Sequence, residues 1–212
     1  GLLGLIAVFV EIIKIKPKVL IALILIIVMI FSIRTITLNE DWRTGYSLYT
    51  HDIVVAKDNV YLNGLLGNEL LNAGKYDEAL KYFKKASIID PSQWRNWINM
   101  GAAYYSKGNL KLAEKYFRKA IEVGRPQMGY ERLGQLYIEE GKLTEARTVF
   151  QEGVKQYPQY QRLQLYLAYS EYNLHNKQRA LEIATKAYQT SSTPEALYVL
   201  TQITNDQEIK LK

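Results

Sequence analysis

Side chains able to do chemistry are sparse in this chain. Its 212 residues include no cysteine and only two histidines, His51 and His175, which excludes disulfides, thiol catalysis and Cys-ligated metals. The histidines are far apart, neither has a second ligand at metal-site spacing, and both read as solvent-facing. Glu139 and Glu140 are adjacent, so a helix splays them to different sides and they read as surface charge. Gly74-Lys75 lacks the upstream glycine and the following Ser or Thr of a phosphate loop, and no Gly-x-Ser-x-Gly elbow is present. No catalytic, metal or cofactor site is expected. A set of amide, aromatic and arginine side chains is more informative: Tyr61, Asn68, Asn72, Arg95, Asn99, Tyr105, Arg132, Gln135, Arg162, Tyr166, Tyr169 and Asn173. Such groups hydrogen-bond an extended peptide backbone or a chain terminus while stacking its side chains. The competing reading of the same residues is ordinary repeat consensus with no specific ligand.

These residues share a face only if the elements carrying them recur. Leu66-Gly67, Met100-Gly101 and Leu133-Gly134 align with the downstream Ala79, Ala113 and Ala146 and with Phe83, Phe117 and Phe150. The steps are 34 residues from Gly67 to Gly101 and 33 from Gly101 to Gly134, the period of a helix-turn-helix solenoid. The first clear unit predicts helix A over Tyr61 to Leu71 and helix B over Tyr76 to Ile89. Gly67 and Ala79 let the two helices approach closely, while Phe83 fills the space between units. Gly74, Gly108 and Gly141 occupy one turn position, where positive φ is cheap for glycine. Pro91 and Pro158 close helices, because proline cannot donate into a continuing one.

A fourth, degenerate unit over Gln161 to Thr190 keeps Ala180 and Ala187 in register, with Ala168 for the first glycine and His175 for the turn glycine. A last helix is expected from Pro194, with Ser192 and Thr193 as candidate N-caps. Its Leu197, Leu200 and Ile203 would cover the fourth unit. Upstream, Trp42 to Ala56 has helical apolar spacing, and one period places Gly45 at the Ala79 position and Tyr49 at the Phe83 position. It reads as a degenerate half-repeat capping the stack. The fold class is therefore all-α: an N-terminal transmembrane helix or helix pair, then a solenoid of about four repeats with capping helices.

Residues 1–38 differ in kind from the rest. They carry four basic and one acidic group, leaving 23 basic against 20 acidic beyond. Those later charges are interspersed, as on solvated helix faces, and lack the concentrated basic footprint of a nucleic-acid binder. The Lys14, Lys16, Pro17, Lys18 cluster separates a partial apolar helix over 1–16 from a spanning helix over 17–38. From Val19 to Ile33 the only polar side chain is Ser32, and extension to Leu38 gives about 20 residues, enough to cross a bilayer with Arg34 snorkelling. A signal peptide would need a small-residue cleavage site that Phe31-Ser32-Ile33-Arg34 does not offer. Lysines before the span, against Glu40 and Asp41 accompanying Arg34 and Arg43 after it, orient the repeats away from the cytoplasm. Trp42 fits the headgroup level or a packing role under the first repeat, and Asp41 reads as the cap of a helix that Trp42 begins. The expected domains are 1–38, a juxtamembrane segment over 39–58, and the repeats over 59–212. The apolar start without methionine reads as a cut inside a longer hydrophobic segment.

Trp97, Met100-Gly101, Tyr104, Gly108, Ala113, Phe117 and Ala120 resemble the tetratricopeptide repeat almost position for position over residues 58–190. The resemblance implies a right-handed superhelix whose helix A residues line a concave groove for protein or peptide partners. Departures are Arg125 where proline is usual, followed by Pro126, and the one-residue deletion before Gly134. Asn68, Asn99 and Arg132 also fall where carboxylate-clamp repeats of chaperone adaptors hold a peptide C-terminus, but the two clamp lysines correspond to Gly64 and Met128. Arg34-Thr35, Asn39 and Asp41-Trp42, between an apolar helix and such repeats, resemble the junction in multi-pass glycosyltransferase-like proteins related to protein O-mannosyltransferases, with Leu38 where that family has arginine. In that family the sugar-handling carboxylates lie in an early extracytoplasmic loop, outside this chain.

Three readings follow. One is a non-enzymatic membrane-anchored module that holds a protein or peptide partner, possible as a complex subunit, on the extracytoplasmic face. Another is the accessory C-terminal domain of a multi-pass sugar transferase. The third is a cytoplasm-facing adaptor.

Overall fold

The computed structural model describes residues 16–41 and 44–209, with side chains throughout except at 17, 37–41 and 206–209. The partial helix over 1–16, apart from Lys16 itself, and the interfacial role of Trp42 lie outside the described residues, as does Arg43. Among the described residues there are eleven helices and no strand. The chain divides into two compact units between Val55 and Ala56.

The first unit contains α1 (Pro17–Asp41) and α2 (Gly45–Val55). Within α1, the stretch Lys18–Ile36 is long and apolar enough to cross a membrane, and none of it is buried. Its 25 residues rise about 37 Å against a hydrocarbon core of about 30 Å. The expectation that Asp41 caps a helix starting at Trp42 is corrected: Asp41 belongs to the last turn of α1, and α2 starts at Gly45. The start is fixed by Thr44, whose hydroxyl accepts from the Ser47 amide at 3.1 Å while the Thr44 amide donates to the Ser47 hydroxyl at 3.3 Å. This reciprocal pairing satisfies two helix-start donors at once.

The second unit is a run of helix pairs. α3 (Val60–Asn72) pairs with α4 (Tyr76–Ile89), α5 (Trp94–Ser106) with α6 (Leu110–Gly124), α7 (Gln127–Glu139) with α8 (Leu143–Gln156), and α9 (Gln161–Asn173) with α10 (Lys177–Thr190). A final helix, α11 (Pro194–Ile209), follows. Each helix packs on its neighbours in sequence. The first helix of a pair is closely approached by the second because a glycine faces a phenyl ring. A Cβ at Gly101 would lie 2.5 Å from two Phe117 ring carbons, and Gly67 meets Phe83 and Gly134 meets Phe150 in the same way. All three rings are buried, with Phe83 and Phe150 at 0 % exposure.

The turns between paired helices need a left-handed residue. Gly108 supplies it with φ 76°, as do Gly74 and Gly141, and in the fourth pair His175 takes φ 64°. The link between α6 and α7 uses a different device. Arg125, at φ 45° and ψ 42°, ends α6 in the left-handed region, which the ring of a proline forbids. Its carbonyl accepts from the Tyr157 hydroxyl at 2.6 Å. The departure from the repeat pattern at Arg125-Pro126 is thus a shortened turn in which the proline moves to position 126 and opens α7.

Links between pairs are held by a repeated side-chain donor. Asn63 donates to the Lys57 carbonyl at 2.9 Å, Trp97 to Pro91 at 2.8 Å and Gln164 to Pro158 at 2.5 Å, each to the residue six before it. At the C-terminal end, the Thr193 hydroxyl accepts from the Ala196 amide at 3.3 Å and caps α11. Of the residues expected to cover the fourth unit from α11, Ile203 is buried and Leu200 partly so, but Leu197 is corrected: it is 49 % exposed, and Ala196 with the partly buried Val199 packs instead. Residues 196, 199, 200 and 203 keep helical spacing, and Leu197 falls off that stripe.

Gly101→Ala should lower stability by about 1–3 kcal/mol, the usual cost of overpacking a filled core. The loss should be smaller in a Phe117→Leu background, because the same ring causes it. Urea titrations followed by circular dichroism in detergent measure both; an equal cost in the two backgrounds would contradict the contact.

Candidate functional site

Helical spacing carries two side chains of each first helix, the residue two before the repeat glycine position and the residue one after it, toward the adjoining pair. In the first three repeats the later of these is Asn68, Ala102 and Gln135. In the second to fourth repeats the earlier is Asn99, Arg132 and Tyr166. Adjoining repeats bond through them. Asn99 donates to the Asn68 amide oxygen at 2.6 Å, and Gln135 donates to the Tyr166 hydroxyl. At the middle junction Ala102 offers no polar atom, and Arg132 makes no hydrogen bond or ion pair among the described residues. A different contact spans that junction, from the Tyr105 hydroxyl to a Glu139 carboxylate oxygen at 2.7 Å. The hydrogen bond that the Tyr105 hydroxyl donates to that carboxylate, then burial, pushes its phenol above the ordinary range.

Arg132, Gln135, Arg162, Tyr166 and Tyr169 line a concavity of about 610 Å³, together with Glu139, Leu165, Glu195 and Val199. A smaller recess of about 80 Å³ adjoins it, shared by Ala102, Tyr105, Arg132, Gln135 and Glu139. The ring of Tyr166 is held flat against Phe150, with centroids 5.2 Å apart and planes 15° from parallel. The core phenylalanine thereby orients a groove residue.

The two arginines in this concavity differ in their electrostatics. Arg162 pairs with Glu131 at 2.8 Å, and hydrogen bonding to Tyr166 with the Glu131 charge holds its guanidinium more strongly protonated. Glu131 is only 6 % exposed and also accepts from the Tyr160 hydroxyl at 3.1 Å. Burial, then the Glu131 charge, pushes that phenol up. Arg162 therefore serves to neutralise a buried carboxylate. Arg132 is exposed, with its charge uncommitted.

Of the side chains selected from sequence, the structure gathers Arg132, Gln135, Arg162, Tyr166 and Tyr169 around one concavity, with Tyr105 at its adjoining recess. Asn68 and Asn99 are bonded to each other one junction away. Asn173 donates to the Tyr169 carbonyl of its own helix at 2.8 Å. Tyr61 is 70 % exposed, Asn72 is exposed, and Arg95 lies over the Trp94 ring at 4.5 Å; none of these three lines the concavity. The sequence reading passed over Glu139, taken only as surface charge, and Glu195. Glu139 follows Arg132 and Gln135 at spacings of seven and four on the same helix, a signal that would have placed it on their face. His51 and His175 are exposed, and no group of metal-ligating side chains occurs among the described residues.

Replacing Arg162 by Ala should cost about 1–3 kcal/mol of stability, since it strips a partner from a buried carboxylate. Arg132→Ala should stay within about 0.5 kcal/mol of the parent, as for a surface change with no contact to lose. Parallel urea titrations compare them, and equal losses would refute the division of roles.

A family model described as tetratricopeptide repeat matches residues 65–128 and 131–196. Among curated proteins, protein O-mannosyl-transferase TMTC3 of Homo sapiens is 30 % identical over 94 residues, covering 44 % of this chain and 10 % of that protein. Protein O-mannosyl-transferase Tmtc3 of Drosophila melanogaster is 32 % identical over 99 residues, covering 47 % and 11 %. The matched part of the chain thus spans about a tenth of the length of these relatives. Among solved structures, YrrB, described as a TPR protein with an unusual peptide-binding site, superposes with a TM-score of 0.60 at 19 % identity, covering 76 % of this chain and 84 % of that one. At that identity the likeness establishes the fold.

Proposed function

Since this chain belongs to the tetratricopeptide repeat family, we propose that it is a membrane-anchored protein-interaction module that holds an extended segment of a protein or peptide partner along the first helices of its repeats. The observation that carries this reading is Arg132: a guanidinium with no hydrogen-bond or ion-pair partner among the described residues, in a concavity it shares with Tyr166, Tyr169 and Gln135 as well as with the carboxylates of Glu139 and Glu195. A carboxylate on the bound segment would pair with Arg132, the tyrosine rings would stack on its side chains, and Gln135 and Asn99 would bond its backbone. α1 supplies the anchor, by length and composition. The lysines ahead of it support an extracytoplasmic position for the repeats.

A second reading has its own support. The alignment to two protein O-mannosyl-transferases, with the resemblance at Arg34-Thr35, Asn39 and Asp41-Trp42, suits an accessory C-terminal domain of a multi-pass sugar transferase. Here the groove would recruit the acceptor protein, and the residues of this chain would take no part in the chemistry. The full reading frame separates the two: many further apolar spans with a paired acidic loop ahead of residue 1 favour the transferase, and a methionine directly upstream removes it.

For the groove, Arg132→Ala, and separately Asn99→Ala with Tyr105→Ala, should each sharply reduce recovery of crosslinked partners from membranes while circular dichroism stays at parent values. Undiminished recovery would contradict the reading. For the topology, external protease should digest the repeats in intact cells, and protection of the repeats would reverse the orientation.

A further inference from the structure

The net charge of the chain is segregated along it. Residues 75–125 contain eleven Lys and Arg against five Asp and Glu, a surplus of six that equals the formal +6 of the whole chain. This stretch is the second helix of the first repeat and the whole of the second. Seven of the eleven cations stand on the second helices, α4 and α6, against four carboxylates there, and Lys75, Arg95, Lys107 and Arg125 lie outside them. One period relates Lys81 to Lys115, Lys84 to Arg118 and Lys85 to Lys119, giving the same cations at the same register on successive helices. The pattern stops at the third repeat, where the corresponding residues are Thr148, Gln151 and Glu152, and in the fourth, with Glu182, Thr185 and Lys186, a cation returns at the third position alone.

Part of this charge is already compensated. Lys85 pairs with Asp58 at 3.4 Å, Arg118 with Glu114 at 2.9 Å and Lys119 with Glu122 at 2.7 Å. Lys81, Lys84, Lys111 and Lys115 are exposed and have no carboxylate partner among the described residues. Lys115 stands over the Tyr116 ring, 5.9 Å from its centroid, and that ring is stacked on Tyr104 at 5.3 Å. The result is a two-helix face of exposed ammonium groups beside half-buried tyrosines. It lacks the planar forks that read a particular carboxylate or phosphate geometry, because five of its six cations at the repeated positions are lysines and the one arginine is engaged by Glu114 and Tyr137.

We propose that this face of α4 and α6 docks on the anionic headgroups of a phospholipid bilayer. The inference rests on the membrane anchoring argued above. Charge complementarity carries it: uncommitted lysines suit a fluid anionic surface that demands no fixed partner geometry, each adding a modest attraction within a Debye length. Tyrosines beside them suit the interfacial layer. The same chain supplies α1, so a bilayer is held at high effective concentration.

The test uses the full chain reconstituted into nanodiscs of phosphatidylcholine alone, or of phosphatidylcholine with phosphatidylglycerol. Amine acylation read by mass spectrometry should be several-fold slower at Lys81, Lys84, Lys111 and Lys115 on the anionic discs, while the exposed Lys155 and Lys186 label equally on both. Protection should vanish at 1 M salt, where the Debye length is about 3 Å. Combined Lys81→Glu and Lys115→Glu should abolish it at Lys84 and Lys111. Equal labelling of the four lysines on the two discs overturns the proposal, as does protection by an oligonucleotide or an acidic polypeptide without protection by anionic discs. Incorporation is scored separately by flotation. A chain excluded from both discs overturns the anchoring and the lipid contact together, whereas one incorporated but unprotected overturns only the contact.

Discussion

The close seating of a phenyl ring over a glycine is the constraint on which the repeat unit depends. At Gly67, Gly101 and Gly134 there is no room for a Cβ, because Phe83, Phe117 and Phe150 occupy it. The ring buries a large apolar surface, and the missing side chain lets two helices approach to the distance at which the remaining small residues, Ala79, Ala113 and Ala146, also fit without exposure. Losing such a ring would cost about 3–5 kcal/mol in a filled core. The same contact sets the geometry of the groove. Each groove position flanks the glycine on its own helix, so its direction is inherited from the ring beneath, as Tyr166 lying flat on Phe150 makes plain.

From that frame, the polar pairs between adjoining repeats follow as a consequence of helical spacing, and their interruption becomes the informative feature. Asn68 with Asn99 and Gln135 with Tyr166 satisfy one another across their junctions. Pairs of this kind hold repeats in register and use one of the two side-chain amide donors of Asn99 and of Gln135, leaving the other for a ligand. Ala102 breaks the series at the middle junction and leaves Arg132 to solvent. Arg162, in the same concavity, shows what commitment looks like: its charge is absorbed by Glu131. Thus two residues of the same type in one concavity have different physical duties, and only one of them has charge to offer.

The parts of the fold legible in sequence are those for which only one or two residue types meet the steric demand. Glycine under a ring, alanine at a tight crossing and glycine in the left-handed turn recur as the same letters, so the period and the helix pairs can be read directly. The links between pairs were not legible, because the demand is for a donor of a given reach, and Asn63, Trp97 and Gln164 all meet it. The start of α2 was misread because Asp41 looked like a cap while the Thr44–Ser47 pair, equally competent, lay further on. Of the groove, the face was legible from helix spacing, and the partnerships were not. Whether Arg132 or Arg162 is free depends on Ala102 in one neighbour and Glu131 within another helix, which are facts of packing between repeats. The basic face was not legible for a different reason: averaging charge over the whole of residues 39–212 hides cations that recur at the same register on two successive second helices.

The fourth repeat tests how strictly the ring and the glycine are coupled. Ala168 stands at the glycine position, which by the rule of the first three repeats should clash. The residue sixteen further on, where Phe83, Phe117 and Phe150 stand in the other units, is Ala184. Both substitutions are present together, and each makes the other permissible: without a ring, a methyl at 168 has space, and with that methyl in place a ring would not fit. Two alanines cannot fill the volume of a phenyl group, and a void there would be costly. The filling comes from outside the repeat. Ile203 of α11 is buried to 2 % exposure in one cluster with Ala168, Ala180 and Ala184. The last helix therefore completes the core of the fourth repeat, supplying from the next element what the earlier repeats carry within themselves. This also explains why α11 turns the stripe of Ala196, Val199, Leu200 and Ile203 inward and leaves Leu197 outside: the stripe is positioned by the need to set Ile203 over the paired alanines.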